Sequence, residues 1–287
     1  MEEYNEFVPN VHFEQIPIKN LVSNQNYQRS LSENHVKRAV ENFDLYQINP
    51  VKVSRRDGVN YVFNGQHTIE IVATVSGSRE TPVWCMIYDD LVYAHEADIF
   101  ANQQKYVKQL TPYEIFTANV EAGNSEQLTI KSIVESYRLV ITPTKVPGGI
   151  CAISSLEFIF KKFGYHVLDE TLRLCIATWE GDTNSLSACM LKGIAKLIVA
   201  YGNEIDAEIF KEKLGRCSIK EISRSAAERS NGSLGYAEAM LTIYNKRLRT
   251  PLHYSKLYTN KKGAADPDFM TNSFDNEEDD YDEVAEM

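Results

Sequence analysis

The stretch Phe63-Asn64-Gly65-Gln66-His67-Thr68 decides the fold of the first part of the chain. It ends an apolar run, Val59 to Phe63, and precedes a helix-like run, Ile69 to Val75. A glycine turn between a strand and a helix directs backbone N–H groups, and the positive end of the helix dipole, at one small volume. The pattern therefore predicts an anion site at this turn.

Strand and helix signals alternate around the turn over residues 11–92. Val11 to Ile18 is predicted to be a strand, and Ser32 is predicted to cap a helix that ends near Phe43. Asp57-Gly58 has the signature of a two-residue hairpin turn. A further strand, Thr81 to Tyr88, follows the helix. The predicted fold class is α+β, built from short strands with interposed helices.

Helical signals dominate from Ala94 onward. Thr111-Pro112-Tyr113-Glu114 predicts a helix N-terminus, since threonine caps, proline suits the first position and glutamate suits the first turn. Ser125–Val140 is predicted to be a structural helix and not a helix-turn-helix, because Ile141-Thr142-Pro143 stands where a recognition helix would begin. The predicted divisions are an N-terminal arm (1–10), an α+β domain (11–124), an all-helical domain (125–258) and a disordered acidic tail (259–287).

Composition is that of a soluble cytoplasmic protein of 287 residues, 43% hydrophobic and 24% charged. No apolar run has the length of a membrane span, and the N-terminus is acidic where a signal peptide would be basic. The five cysteines form no CxxC pair. They are predicted to be reduced thiols and not a disulfide frame or a zinc site.

The charge is divided along the chain. Residues from Gly263 onward carry ten acids and no Lys or Arg, whereas residues 216–262 carry ten bases and three acids. Lys246, Arg247 and Arg249 lie within four residues of one another. Clustered cations of this kind suit either a DNA backbone or simply a solvated helix face.

Four motifs in succession resemble the ParB/sulfiredoxin superfamily, whose N-terminal domain would cover residues 14–122. They are Ile16-Pro17-Ile18 with Leu21, Asn26-Tyr27-Gln28-Arg29, Asn64-Gly65-Gln66-His67-Thr68, and Ala101-Asn102-Gln103-Gln104-Lys105 followed by Leu110-Thr111-Pro112-Tyr113-Glu114. The third corresponds to the phosphate box of the family.

The resemblance implies a pocket for CTP or ATP with Mg²⁺. It implies that Asn64, Gly65, Gln66, His67 and Thr68 face phosphates, that Asn102, Gln104 and Lys105 lie at the phosphate–metal edge, with Asn102 as the metal ligand, and that Gln28 and Arg29 lie near the nucleoside. Backbone N–H groups and charge-assisted side chains are the groups that phosphates need. The alternative for His67 is a turn histidine that is hydrogen-bonded to nearby backbone, and Arg29 is equally compatible with the surface.

Three departures from the family pattern qualify this pocket. Thr68 replaces the arginine of the box, and Ala101 replaces a glutamate expected to help hold the metal. Gln66 stands where sulfiredoxins carry their catalytic cysteine, which excludes sulfinic-acid reduction. These departures predict a pocket that binds a nucleotide or another anion and is poorly equipped to hydrolyse it.

The leading functional hypothesis is a nucleotide-responsive DNA-maintenance or DNA-binding protein of a mobile element, with DNA bound through residues 216–262 and a homodimer as its assembly. One alternative is a ParB-like nuclease. The other is a protein-interaction module on a vestigial pocket.

Overall fold

The structure is a computed structural model that describes residues 10–23, 27, 30–89, 91–103, 105 and 107–259. The chain divides into two compact units, Met1–Gln109 and Leu110–Met287. The predicted class is confirmed, with a sheet in the first unit and helices through most of the second. Gln28, Arg29, Gln104 and the acidic tail from residue 260 lie outside the described residues.

The first unit holds a five-stranded sheet in the order β1-β5-β3-β4-β2. Pairs β1/β5 and β3/β4 are antiparallel, and β5/β3 and β4/β2 are parallel. The elements in chain order are β1 (Val11–Pro17), β2 (Leu21–Ser23), α1 (Glu33–Glu41), β3 (Val51–Arg56), β4 (Val59–Asn64), α2 (Gln66–Ser76), β5 (Pro82–Tyr88) and α3 (Tyr93–Gln103).

Local sequence signals account for the ends of these elements. The Ser32 hydroxyl accepts a hydrogen bond from the backbone N–H of His35 and so caps α1, as predicted. Asp57 and Gly58 take φ values of 51° and 76°, and they form the predicted hairpin turn between β3 and β4. Left-handed glycines, Gly65 and Gly77, stand at the two ends of α2.

The core of the first unit lies on one face of the sheet, where α2 packs. Val51, Val53 and Val62 of the sheet and Ile69 of α2 are at most 3% exposed in this cluster. The residues that alternate with these along the strands point to the opposite face of the sheet. Helix α3 contacts β4 on that face. The two helices that carry the predicted phosphate residues therefore contact neighbouring strands, α2 on β3 and α3 on β4.

The second unit is mostly helical and has its own core. Its elements are α4 (Pro112–Glu121), α5 (Ser125–Ser136), β6 (Val140–Ile141), β7 (Gly149–Ile150), α6 (Ile153–Trp179), α7 (Ala188–Tyr201), α8 (Ala207–Leu214), α9 (Ile219–Ala227), α10 (Gly232–Asn245) and α11 (Ser255–Thr259). Within the described ranges no helix combines the length and apolarity needed to cross a membrane.

Helix α4 begins at the predicted capping box, in which Thr111 and Glu114 cap each other's backbone N–H groups. Phe116 of α4 is 3% exposed in the core of the second unit. This packing explains why the division between the units precedes α4, although the sequence reading placed residues up to 124 in the first domain.

Helix α5 is a structural helix, since Ile130, Ile133 and Val134 are buried in the same core. The short strand β6 follows α5, at the position where a recognition helix would begin. Residues 140–141 are thus a short strand and not the start of a recognition helix.

Candidate anion-binding site

The Gly65 turn is built by a bulge followed by a left-handed residue. Lys52 pairs with Asn64 and Val53 with Val62, so Phe63 is an extra residue in β4. Gly65 then takes φ 106° and ψ 17° as the N-cap of α2. A Cβ placed on Gly65 would come within 3.2 Å of the Val51 Cα, so the turn requires glycine for its space as well as for its φ.

The first turn of α2 presents its N–H groups at this point. The N–H of Ile69 donates to the Gly65 carbonyl at 3.0 Å and begins the helix. The residues of α2 that precede Ile69 are Gln66, His67 and Thr68. Gly65 has no side chain that could accept from their backbone N–H groups, so α2 has no side-chain cap. Residues 64–68 are all half-buried, so solvent reaches the turn.

The N-terminus of α1 lies beside that of α2. The Nε2 atom of His67, in the first turn of α2, accepts a hydrogen bond from the backbone N–H of Ser32, the N-cap of α1, at 3.1 Å. The rings of His35 and His67 meet edge to face at 5.2 Å. The side chain of His67 thus connects the positive dipole ends of α1 and α2.

This contact defines what His67 does. In this contact the Nε2 atom of His67 acts as the acceptor, which leaves Nδ1 as the ring nitrogen able to donate. The backbone-bonded role that the sequence left open for His67 is therefore observed. It joins the two helix ends across 35 residues of sequence.

Asn102 lies in the last turn of α3, and the observed hydrogen bonds of its side chain stay within that helix. Its amide Nδ2 donates to the carbonyl and to the carboxylate Oδ1 of Asp98, at 3.1 and 2.9 Å. The backbone N–H of Lys105 donates to the Asn102 carbonyl at 3.0 Å. The Asn102 amide and the Asp98 carboxylate are consequently neighbours at the end of this helix.

A buried ion pair on the second face of the sheet escapes the sequence analysis. Glu96 of α3 is 0% exposed, and its Oε1 lies 2.6 Å from the Nε of Arg56 at the end of β3. Tyr27 donates its hydroxyl to Oε2 of Glu96 at 3.3 Å. The alternation of side chains along β3 was the available signal. It places Lys52, Ser54 and Arg56 on the face opposite Val51 and Val53. A helix that covers this face has to supply a partner for each charge that it buries.

The predicted DNA-binding residues lie in the loop after α10. Lys246, Arg247 and Arg249 are all exposed. Lys213 reaches this loop from α8 and donates its Nζ to the carbonyls of Tyr244 and Lys246, at 2.8 and 2.6 Å. Lys213 thereby caps the carboxyl end of α10 and fixes the start of the cationic loop.

A family model covers most of the chain. Residues 22–252 match the model of a family of unknown function, DUF6551. The chain belongs to this family. The matched range includes the Gly65 turn, the Arg56–Glu96 pair and the cationic loop, so all three features lie within the part of the chain that the family shares.

Two crystal structures of the C-terminally truncated chromosome-partitioning protein ParB from Caulobacter crescentus are similar to the chain. One, complexed with CTP-gamma-S, is 11% identical with a TM-score of 0.34, and covers 80% of this chain and 99% of that one. The other, complexed to the centromeric parS site, is 14% identical with a TM-score of 0.27, and covers 75% and 100%. At these TM-scores the similarity carries no argument about function. A search of curated proteins gave no match.

The described residues contain no group of three or more His, Cys, Asp or Glu side chains that could hold a metal ion. All five cysteines are free, as predicted.

Proposed function

We propose that the first unit binds a nucleoside triphosphate through the Gly65 turn, and that the protein is a nucleotide-responsive DNA-maintenance protein. The observation that carries the proposal is the meeting of two helix N-termini at the His67–Ser32 hydrogen bond. Each terminus contributes N–H groups and about half a positive charge, which suits a polyphosphate better than a single turn would.

The proposed roles follow the chemistry of each group. The backbone N–H groups of Gln66, His67 and Thr68 would face phosphate oxygens. Mg²⁺ would arrive with the nucleotide, and the Asn102 amide oxygen and the Asp98 carboxylate are the oxygen ligands that it prefers. Weak hydrolysis or none is expected, since Thr68 offers no cation to the developing charge of a transferred phosphoryl group.

The DNA part of the proposal rests on the cationic loop. Lys246, Arg247 and Arg249 are exposed on a loop whose start Lys213 fixes. Phosphate contacts by such residues give affinity that depends on salt and not on sequence. CTP is the first nucleotide to test and duplex DNA the second ligand, because the resemblance of the four sequence motifs to the ParB/sulfiredoxin superfamily implies them.

Calorimetry tests the nucleotide proposal. CTP, ATP and GTP, each with Mg²⁺, are titrated into the full chain, and sodium phosphate serves as the control for simple anion binding. Saturable binding of one triphosphate at micromolar concentration is expected. If none of the three binds at millimolar concentration, the proposal fails.

DNA retention tests the second part. The triple substitution Lys246/Arg247/Arg249→Ala should weaken duplex binding and reduce the slope of log affinity against log salt by about three. Lys131/Lys161/Arg173→Ala is a matched control, because it removes the same charge from exposed residues of the same unit that lie outside residues 216–262. Equal effects of the two substitutions would contradict a specific role for the loop.

A second candidate, an interaction module, is favoured by an exposed apolar patch on the sheet. Phe13 and Trp84 are 56% and 55% exposed. Because Phe13 pairs with Met86 and Gln15 with Trp84, all four point to one face of β1 and β5. Sedimentation of the wild type and of Phe13→Ser/Trp84→Ser tests whether this face forms a homodimer; a wild-type monomer at all concentrations would remove that reading.

A further inference from the structure

The buried carboxylate of Glu96 is bound by groups from two other segments of the first unit. Its Oε1 lies 2.6 Å from Arg56 Nε, and Arg56 Nη2 donates to Oε2 at 3.3 Å. The Tyr27 hydroxyl donates to the same Oε2 at 3.3 Å. One side chain, itself 0% exposed, therefore joins α3, the β3–β4 hairpin and the segment after β2.

Aromatic rings hold the same three segments around this pair. The Arg56 guanidinium lies 4.3 Å from the ring centre of Tyr61 in β4. The ring of Tyr27 meets Tyr93 and Phe100 of α3, at 5.7 and 5.6 Å between ring centres. The guanidinium is thus fixed between a carboxylate and a ring face, which restricts both its position and its plane.

Each joined segment leads to a part of the proposed pocket. Strand β4 continues from Tyr61 to Asn64 and the Gly65 turn, and α3 continues from Glu96 to Asn102. Tyr27 directly precedes Gln28 and Arg29 in the sequence. The ion pair lies where these three segments contact one another. It does not lie among the groups that would contact phosphate.

Stability alone does not explain a buried ion pair at this place. Removing two charges from water is costly, and apolar side chains of similar volume commonly give equal or greater stability. Arg56 makes one hydrogen bond to Glu96, from Nη2 to Oε2, while its Nε contacts Oε1 as an ion pair without hydrogen-bond geometry. Together with the Tyr27 hydroxyl on the same Oε2, these directional contacts favour one arrangement of the segments that carry them.

We propose that Glu96, through Arg56 and Tyr27, is a positioning residue that sets the spacing between the Gly65 turn and the end of α3 to fit a triphosphate. This inference rests on the proposed nucleotide function. Glu96 itself would not contact the nucleotide. Loss of the pair should therefore lower nucleotide affinity while the fold persists.

The test compares two double substitutions in the full chain. Arg56→Met/Glu96→Met replaces the buried pair by apolar side chains. Arg79→Met/Glu70→Met removes a forked guanidinium–carboxylate pair of the same unit, with N–O distances of 3.1 and 2.8 Å. This pair joins Glu70 of α2 to Arg79 in the loop after it, and the two side chains are 31% and 55% exposed. Thermal unfolding and CTP–Mg²⁺ calorimetry are measured on both and on the wild type.

The Arg56/Glu96 variant is expected to unfold within a few degrees of the wild type and to bind CTP about tenfold or more weakly, the loss typical of outer-shell partners. The Arg79/Glu70 variant should bind as the wild type does. If the Arg56/Glu96 variant does not fold, Glu96→Gln, which keeps the shape and the Tyr27 contact, replaces it. Wild-type affinity in a folded variant overturns the positioning role and leaves the proposed function standing, whereas a wild type that binds no nucleotide overturns both.

Discussion

The substitution Gly65→Ala tests the geometry of the turn, and Gly77→Ala is its matched control. Both glycines are left-handed and stand at opposite ends of α2. An alanine in the left-handed region costs roughly 1–2 kcal/mol at either position. A Cβ at Gly77 meets nothing within 4 Å, whereas at Gly65 it lies 3.2–3.3 Å from three atoms of Val51.

The difference between the two variants therefore measures the contact with Val51. Val51 is 0% exposed in the core and cannot move without repacking, so the contact should add about 1–3 kcal/mol. The expected loss in the free energy of unfolding is about 2–5 kcal/mol for Gly65→Ala and about 1–2 kcal/mol for Gly77→Ala.

Urea unfolding measures both losses. Trp84 lies in β5 of the first unit and Trp179 in α6 of the second. Tryptophan fluorescence in a Trp179→Phe background therefore reports on the first unit alone. Gly65→Ala should also abolish CTP binding under conditions where Gly77→Ala retains it. Equal destabilisation by the two substitutions would refute the argument from the close approach to Val51.

Three further predictions concern other residues. Thr68→Arg restores a cation at the turn, so calorimetry should show CTP affinity raised about tenfold or more; unchanged affinity would place phosphate elsewhere. Burial raises the pKa of Cys85 to about 11 and that of Cys175 to about 12, so at pH 8 at most three of the five thiols should react with Ellman's reagent before unfolding; rapid reaction of all five would contradict this. The hydrogen bond to Glu238, together with burial, raises the pKa of Tyr258 to about 12. The stabilising effect of this hydrogen bond should persist below pH 10 and disappear as the pH rises to 12. The difference in unfolding temperature between the wild type and Tyr258→Phe should therefore vanish over that range.

The Gly65 turn could be predicted because its signals are local. A glycine between an apolar run and a helix-like run fixes the turn type, and Ser32, Asp57-Gly58 and Thr111 mark element ends by side-chain and backbone chemistry alone. The bulge at Phe63 could not be predicted in this way. It depends on the pairing register of β4 with β3, which no property of β4 by itself determines.

The residues that the sequence analysis missed share a physical reason. Glu96 and Arg56 are charged residues 40 positions apart, and each alone is typical of a solvated surface. Only the tertiary packing of α3 on the sheet brings them together. The same limit applies to α4, whose cap was evident but whose core partner was not, since burial of Phe116 in the second unit is decided by contacts distant in sequence.

An NMR titration of the isotope-labelled full chain with CTP and Mg²⁺ tests the central claim most directly. The account predicts saturable shifts of the backbone amides of Gln66, His67 and Thr68 and of the Asn102 side-chain amide, together with a shift of the Ser32 amide that His67 holds. Binding that leaves these amides unchanged, or no binding at millimolar CTP, would contradict it.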